Sequence, residues 1–449
     1  MTRIVVAVLA GLALSAPAAA GGAGEPLLTT VGDVTATSAV VWARAPRAGP
    51  VALVLNPEGG ALSPPAVGSA ASGTDLTVKF PVTDLRPRTR YRYRIESGRD
   101  LVTGGFVTAP TPDDPAPVIF AWSGDLGGSG HCRPIDGGYR IFRRMEARRA
   151  DFFLFVGDTT YADQRCNHLG VVPGAEAPAS DLSGFRTKHR YHRADPALHG
   201  FVRSRAVYAI WDDHEVKNNF DRTEPLMPLG LRAFLEYWPI IPPPEEPTRL
   251  YRKFRWGKLV EVFILDTRQY RSPNVTPDGP TKTLLGATQR RWLVESVSAS
   301  SATWKVVVSS VSLSIPTGRP GRRDSWSNAS VFGVPQDGAG FATERDAILD
   351  QFRSRGVRNL IFLVTDVHHA ELIRHHPVPG FTLHEFIAGP LSASTGRPRA
   401  LDSGLNPVSL FARGEVQNFG EVVVEPGSLT VRVIDEEGTV MGTHVVNPE

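Results

Sequence analysis

Four short clusters of carboxylates, amides and imidazoles occur in this chain, each directly after an apolar run. Ser123-Gly124-Asp125-Leu126-Gly127-Gly128 follows residues 118–122, and Gly157-Asp158-Thr159-Thr160-Tyr161-Ala162-Asp163 follows residues 151–156. Trp211-Asp212-Asp213-His214-Glu215-Val216-Lys217-Asn218-Asn219-Phe220 follows residues 206–210, and Thr365-Asp366-Val367-His368-His369 follows residues 360–364. Apolar runs of that length, rich in β-branched and aromatic residues, read as buried strands. Open α/β sheets bind ligands beyond the C-terminal ends of their strands, which is where all four clusters fall. Asp and Asn oxygens and His nitrogens are hard donors suited to Fe, Mn, Zn, Mg or Ca. One such cluster is equally well explained by a turn or a helix N-cap. Four at the same end of four strands converge on a point, as a dinuclear metal site requires.

The rest of the chain supplies the elements that would position them. From residue 118 onward, apolar strands (further ones over 259–265 and 304–311) alternate with amphipathic helices over 139–149, 289–297 and 345–355. That pattern predicts an α/β core of buried strands sheathed in helices. The C-terminal segments 422–424, 429–434 and 440–446 read as a strand meander with turns at Gly427 and Gly438. Proline-punctuated stretches over 171–178 and 240–244 read as surface insertions capping the site. Residues 26–110 differ in character and read as a separate all-β module of immunoglobulin- or fibronectin-like type. They carry short strands, Gly/Pro/Ser turns and a tyrosine-bearing alternation over 85–95. A proline-rich joint over 109–115 separates this module from a second domain spanning 117–449.

At the start, Arg3, an apolar stretch over 4–14 and Ala18-Ala19-Ala20 have the form of a secretory signal peptide covering residues 1–20. The expected location is secreted or periplasmic, with no membrane anchor. The net charge of +3 has no basic tract behind it, which argues against specific nucleic-acid binding. Cys132 and Cys166, the two cysteines of the chain, are expected to form a disulfide in an oxidising compartment, beside the first two clusters.

Gly-Asp, then Gly-Asp-x-x-Tyr, then Trp-Asp-Asp-His-Glu-x-x-x-Asn, then Asp-x-His resembles the PhoD-like alkaline phosphatases. These are a branch of the calcineurin-like metallophosphoesterases related to purple acid phosphatases. Residues 265–271 and 386–391 are also similar to stretches of that family. The resemblance implies a metallophosphoesterase-type double-sheet α/β sandwich flanked by helices and preceded by the all-β module. It also implies a first metal, Fe(3+), bound by Asp125, Tyr161 and His368. Asp158 would bridge to a second, divalent ion (Ca, Mn, Zn or Mg) held by Asn218 with Asp213 and Asp366. Among the adjacent donors Asp212, Asp213 and Asn218 the second-metal set stays open. Where the family pattern has a cysteine after the first strand, this chain has Gly124-Asp125.

The implied activity is that of an exported, monomeric phosphohydrolase acting on phosphomonoesters, phosphodiesters or both. A hydroxide shared by the two metals would attack phosphorus in line. His214 would contact phosphate or protonate the leaving oxygen, and Asp158 completes the catalytic pair. One alternative is a phospholipase D-like phosphodiesterase with a phospholipid substrate. Another, of a different class, is a non-catalytic extracellular binding module. Arg268 reads equally as a fork onto phosphate or as a buried salt-bridge arginine. His131 and His369 are possible substrate contacts by proximity in sequence. His189, His192, His375, His376 and His444 read as solvated surface positions, and the arginine-rich turn over 319–323 as a steering surface or a solvated loop.

Overall fold

Phe152-Phe153-Leu154-Phe155-Val156 is buried at every position, which requires a strand at the centre of a sheet covered on both faces. The computed structural model describes residues 25–128, 130–335 and 338–449; the expected signal peptide lies outside the described residues. The first strands are β1 (Leu28–Gly32), β2 (Ala39–Arg44), β3 (Gly49–Pro57), β4 (Ala66–Ala70), β5 (Thr77–Val82), β6 (Arg90–Ser97) and β7 (Asp100–Val107). Then come β8 (Val118–Ser123), α1 (Ile141–Ala147), β9 (Phe152–Val156), α2 (Leu182–Arg193), α3 (Pro196–Val202), β10 (Ala206–Ile210) and α4 (Met227–Tyr237). The second half contains β11 (Arg252–Trp256), β12 (Val260–Ile264), α5 (Gly286–Ser298), β13 (Trp304–Val308), a small hairpin of β14 (Gly318–Arg319) and β15 (Arg322–Arg323), and α6 (Ala342–Ser354). It closes with β16 (Leu360–Val364), β17 (Ala370–Val378), β18 (Phe381–Ile387), β19 (Pro407–Arg413), β20 (Asn418–Glu425), β21 (Ser428–Asp435) and β22 (Val440–Val446).

Two large sheets face each other. One has nine strands in the order β22-β21-β20-β8-β9-β10-β1-β2-β5, the other seven in the order β11-β12-β13-β16-β18-β17-β19. In the first, β8, β9 and β10 run parallel; in the second, β12, β13, β16 and β18 do. Alternate side chains of β9 serve the two faces of its sheet. The Phe152 ring packs 4.6 Å from Trp256 of the opposite sheet. Phe153 faces the other way, 5.3 Å from Phe201 of α3. On β12, Val260, Val262 and Ile264 join the inter-sheet core, while Phe263, with Leu265 just beyond the strand, packs with Leu293 of α5 and Ile348 of α6. The result is helices, sheet, sheet and helices in four layers, the double-sheet sandwich expected.

The N-terminal segment is less separate than its composition suggests. A four-stranded sheet, β4-β3-β6-β7, forms one side of it, but β1, β2 and β5 extend the nine-stranded sheet. The join is β1 running parallel to β10, with Val31 opposite Ala206. Backbone pairing leaves no signature in the side chains of the two strands that meet, and so it was not visible in the sequence.

Three histidines expected at the surface are buried. On α2, Phe185, Lys188, His189 and His192 share the inner face at helical spacing. His189 stacks on Tyr237 with centroids 5.1 Å apart, and His192 Nδ1 lies 2.7 Å from the Tyr139 hydroxyl. His375 Nε2 meets the buried Glu385 carboxylate at 2.9 Å. The Lys-His-Arg-Tyr-His composition concealed an i, i+3, i+4, i+7 stripe in which Lys188, His189 and His192 point inward beside Phe185. His376 and His444 are half-buried.

Burial, reinforced by the nearby Arg193 charge, pushes the His189 imidazole down to about 3. In the unfolded chain the ring titrates near 6.5. Between these values the unfolded state holds the extra proton, so acidification costs the fold stability, by about 1.4 kcal/mol per pH unit for one such group. The variant His189→Leu should therefore show a stability-against-pH curve flatter by that amount between pH 6 and 4. Urea titrations across that range would expose the prediction as wrong if parent and variant had the same slope.

Candidate metal centre

The chain leaves each of four central strands through a tight turn that carries a donor. Asp125 follows β8, Asp158 follows β9, Asp212, Asp213 and His214 follow β10, and Asp366 and His368 follow β16. Asp125 (φ 61°), Asp158 (φ 47°), Asn219 (φ 57°), Asp366 (φ 68°) and His368 (φ 61°) all adopt the left-handed conformation. Non-glycine residues rarely adopt it, and its concentration at one place marks backbone held there by its surroundings for use. Gly389 permits the closest approach: a Cβ there would stand 2.6 Å from Asp125 Oδ2. The two sheets touch at this point, through a hydrogen bond from the Thr365 hydroxyl to the Val156 carbonyl.

Two sets of donors converge. Asp158, Asp213 and His214 form one triad and Asp212, Asp213 and Asp366 a second, with the ligand atoms of each within 4.8 Å of one another. Asp213 is common to both. Both carboxylate oxygens of Asp125, Oδ2 of Asp212, Oδ1 of Asp213 and Oδ2 of Asp366 are buried with no donor among the described residues. Buried acceptors in that number are costly without compensation. Oxygens of this type with imidazole are what a pair of hard cations binds, so the residues present fit two metal ions.

The electrostatics point the same way. Burial, with the charges of Asp212 and Asp213 nearby, holds the Asp125 carboxyl well above its ordinary range. Asp158 is raised by burial and by Asp213, and Asp366 by burial and by Asp212. Asp213 alone is lowered: burial opposes its charge, but His214 and Arg268 outweigh it. Burial also disfavours the His214 imidazolium, yet Asp213 and Asp163 overcome it and hold the ring up to about 9. Its Nδ1 lies 2.8 Å from Asp163 Oδ1, which directs Nε2 away from Asp163. His368 is brought down to about 4 by burial. Its Nδ1–H donates to the Ser394 carbonyl, so the lone pair belongs to Nε2, 3.1 Å from the Tyr161 hydroxyl.

The family model of the PhoD-like phosphatases matches residues 120–433, which contain every one of these donors. The chain belongs to the PhoD-like phosphatase family. It is 26% identical over 323 residues to alkaline phosphatase D of Bacillus subtilis (strain 168), an alignment covering 65% of this chain and 53% of the relative. The chain thus matches about half the length of that protein. Among solved structures, that of PhoD superposes with a TM-score of 0.77 at 22% identity, over 94% of this chain and 89% of the other. The purple acid phosphatase PPD1 from yellow lupin (Lupinus luteus) seeds superposes with a TM-score of 0.65 at 12% identity, over 94% and 74%. Both likenesses bear on the fold.

In this PhoD-like chain most of the expected site residues come together. Asp158, Tyr161, Asp213, His214, Asn218, Asp366 and His368 line one polar cavity of about 420 Å³, and His131 lies at its wall. Asp125 is buried next to Asp212 and Asp213, outside both triads. The residue shared between the triads is Asp213, whereas the family resemblance gives the bridging role to Asp158. Cys132 and Cys166 form the expected disulfide, tying the loop after β8 to the loop after β9.

Two expected substrate contacts lie elsewhere. Arg268 is fully buried and does not line the cavity; its Nε donates to Asp212 at 2.6 Å and its terminal nitrogens to Asp324 at 2.9 and 2.7 Å. Of its two readings, buried salt bridge and phosphate fork, the geometry is that of the first. His369 is also buried, between the Val367 carbonyl and Glu371; its neighbour His368 faces the cavity, and the turn between them sends the two rings to different sides. Other residues escaped the sequence reading. Asp163 holds His214 and accepts from the Asn218 amide at 2.9 Å. Glu215 accepts from the Thr159 and Asp212 amides, binding the β9 and β10 turns together. Arg399 lines the cavity and lies in a loop without motif character, so only tertiary structure could have found it.

Proposed function

We propose that this protein is an exported, dinuclear-metal phosphohydrolase that cleaves phosphomonoesters, phosphodiesters or both. The observation that carries the reading is the pair of triads sharing Asp213, surrounded by buried acceptors that have no donor. Asp125, Asp158, Tyr161, Asp213, Asn218, Asp366 and His368 are the residues that would hold the metals, Fe(3+) and a divalent ion being our assignment. When bound, such ions supply positive charge against the phosphate oxygens and make a nearby water acidic. The protein's own groups do the rest. His214, held by Asp163 at Nδ1, lines the cavity and would contact a phosphate oxygen or protonate the leaving oxygen. Arg399 is the cationic side chain available at the cavity wall for the equatorial oxygens. The backbone turns with left-handed residues fix these groups before substrate arrives.

The cavity lining is polar almost throughout, which favours a soluble phosphoester over the acyl chains of a phospholipid. Elemental analysis of the purified protein, with rates on nitrophenyl phosphate and bis(nitrophenyl) phosphate, tests the proposal. We expect about two metals per chain, loss of activity on chelation, and recovery on adding iron with a divalent ion. His214→Asn should lower kcat by about 10²–10⁴-fold. A protein that binds no metal and cleaves neither ester would instead be a binding module.

A further inference from the structure

The catalytic cavity continues into a second cavity of about 450 Å³. Asn218 and Asn219 line both. The far side of the second is the β14–β15 hairpin, which contributes Arg319, Pro320 and Arg322. Arg319 and Arg322 are exposed and directly opposite one another in the hairpin register. Two like charges in that relation repel, and neither guanidinium has an ion-pair or hydrogen-bond partner among the described residues. The carboxylate at this cavity, Asp221, is engaged locally, accepting from the Thr223 amide at 3.0 Å and hydroxyl at 2.6 Å.

The hairpin is held firmly despite this repulsion. Gly318 has φ 74°, and a Cβ there would stand 2.5 Å from the Arg322 carbonyl. The Asp324 amide donates to the Thr317 carbonyl at 3.0 Å. The Asp324 carboxylate is fixed by Arg268, Arg271 and Asn274, the same buried network that supports Asp212. Thr317 and Gly318, at the root, line the catalytic cavity itself. A rigid mount connected to the metal site thus presents two unneutralised cations, one cavity away from where phosphate would be cleaved.

We infer that Arg319 and Arg322 form a second anion subsite, and that the preferred substrate carries a further phosphate beside the one hydrolysed. This deepens the phosphohydrolase reading and rests on it. Guanidinium pairs bind phosphate through paired N–H donors, and such a contact at a distance from the reacting phosphorus lowers KM more than it raises kcat.

The test compares adenosine 3′,5′-bisphosphate with adenosine 5′-monophosphate as substrates of the metal-loaded protein and of Arg319→Ala/Arg322→Ala. The parent should prefer the bisphosphate by at least about tenfold in kcat/KM, the double variant should lose that preference through KM, and nitrophenyl phosphate turnover should stay within about twofold. Arg319→Lys/Arg322→Lys should recover part of the preference, because charge is kept while the fork is lost. Titration calorimetry of both nucleotides adds a readout independent of turnover: the parent should bind the bisphosphate about tenfold more tightly than the double variant does. Equal loss on both substrates, or no preference in the parent, would overturn the subsite. A parent that hydrolyses neither nucleotide but shows the binding difference would leave the subsite standing and remove the phosphohydrolase reading.

Discussion

Asp213→Asn should lower phosphoester hydrolysis by at least about 10³-fold and reduce the metal content of the purified protein. Asp213 is the carboxylate present in both triads. It is also the one that its surroundings hold below the ordinary range, whereas Asp125, Asp158 and Asp366 are raised. A carboxylate common to both donor sets would lend its charge to both cations, so its loss would weaken both sites. The amide retains size and one oxygen but removes that charge. By comparison Asp163→Asn, which touches His214 and the Asn218 amide, should cost about 10–100-fold and leave the metals in place. Metal analysis beside initial rates separates the two. Full metal content in the Asp213 variant would sink the assignment.

Arg268→Ala should destabilise the fold by about 3–5 kcal/mol, because it leaves Asp212 and Asp324 buried without their shared cation. Arg271 still reaches Asp324, but no other cation lies at ion-pair distance from Asp212 among the described residues; its remaining hydrogen-bond donor is the Ser310 hydroxyl at 2.5 Å. Urea unfolding of the variant measures the loss. A phosphate-binding arginine would behave in the opposite way, with stability unchanged and KM raised. Arg399→Ala is the contrasting substitution, expected to raise KM while leaving the unfolding midpoint nearly where it was.

The two arginines illustrate what was legible in the chain and what was not. Arg268 follows a buried strand within two residues of Asp266, the position from which the other motifs reach the site, yet its side chain turns beneath the cavity. Arg399 sits in a loop with no periodicity and reaches the cavity wall. Motif position reports where a backbone leaves a sheet; it does not report which way a side chain points once the turn is made. His368 and His369 make the same distinction between neighbours. The buried histidines of α2 failed for a related reason: polar residues on a helix's inner face are invisible to a hydrophobic pattern, although their spacing was there to be read.

The sequence by itself determined the α/β class, the strand-end positions of Asp125, Asp158, Asp213, His214, Asp366 and His368, and the disulfide. Each rests on local information: apolar runs, short polar turns after them, and two cysteines with no other partner. Tertiary structure alone decided that Asp213 is shared by both donor sets, that β1 continues the catalytic sheet through β10, and that the Arg319–Arg322 hairpin borders the cavity. Those relations join residues far apart in the chain, and their distances are set by how the two sheets pack against one another, which no local pattern of residues encodes.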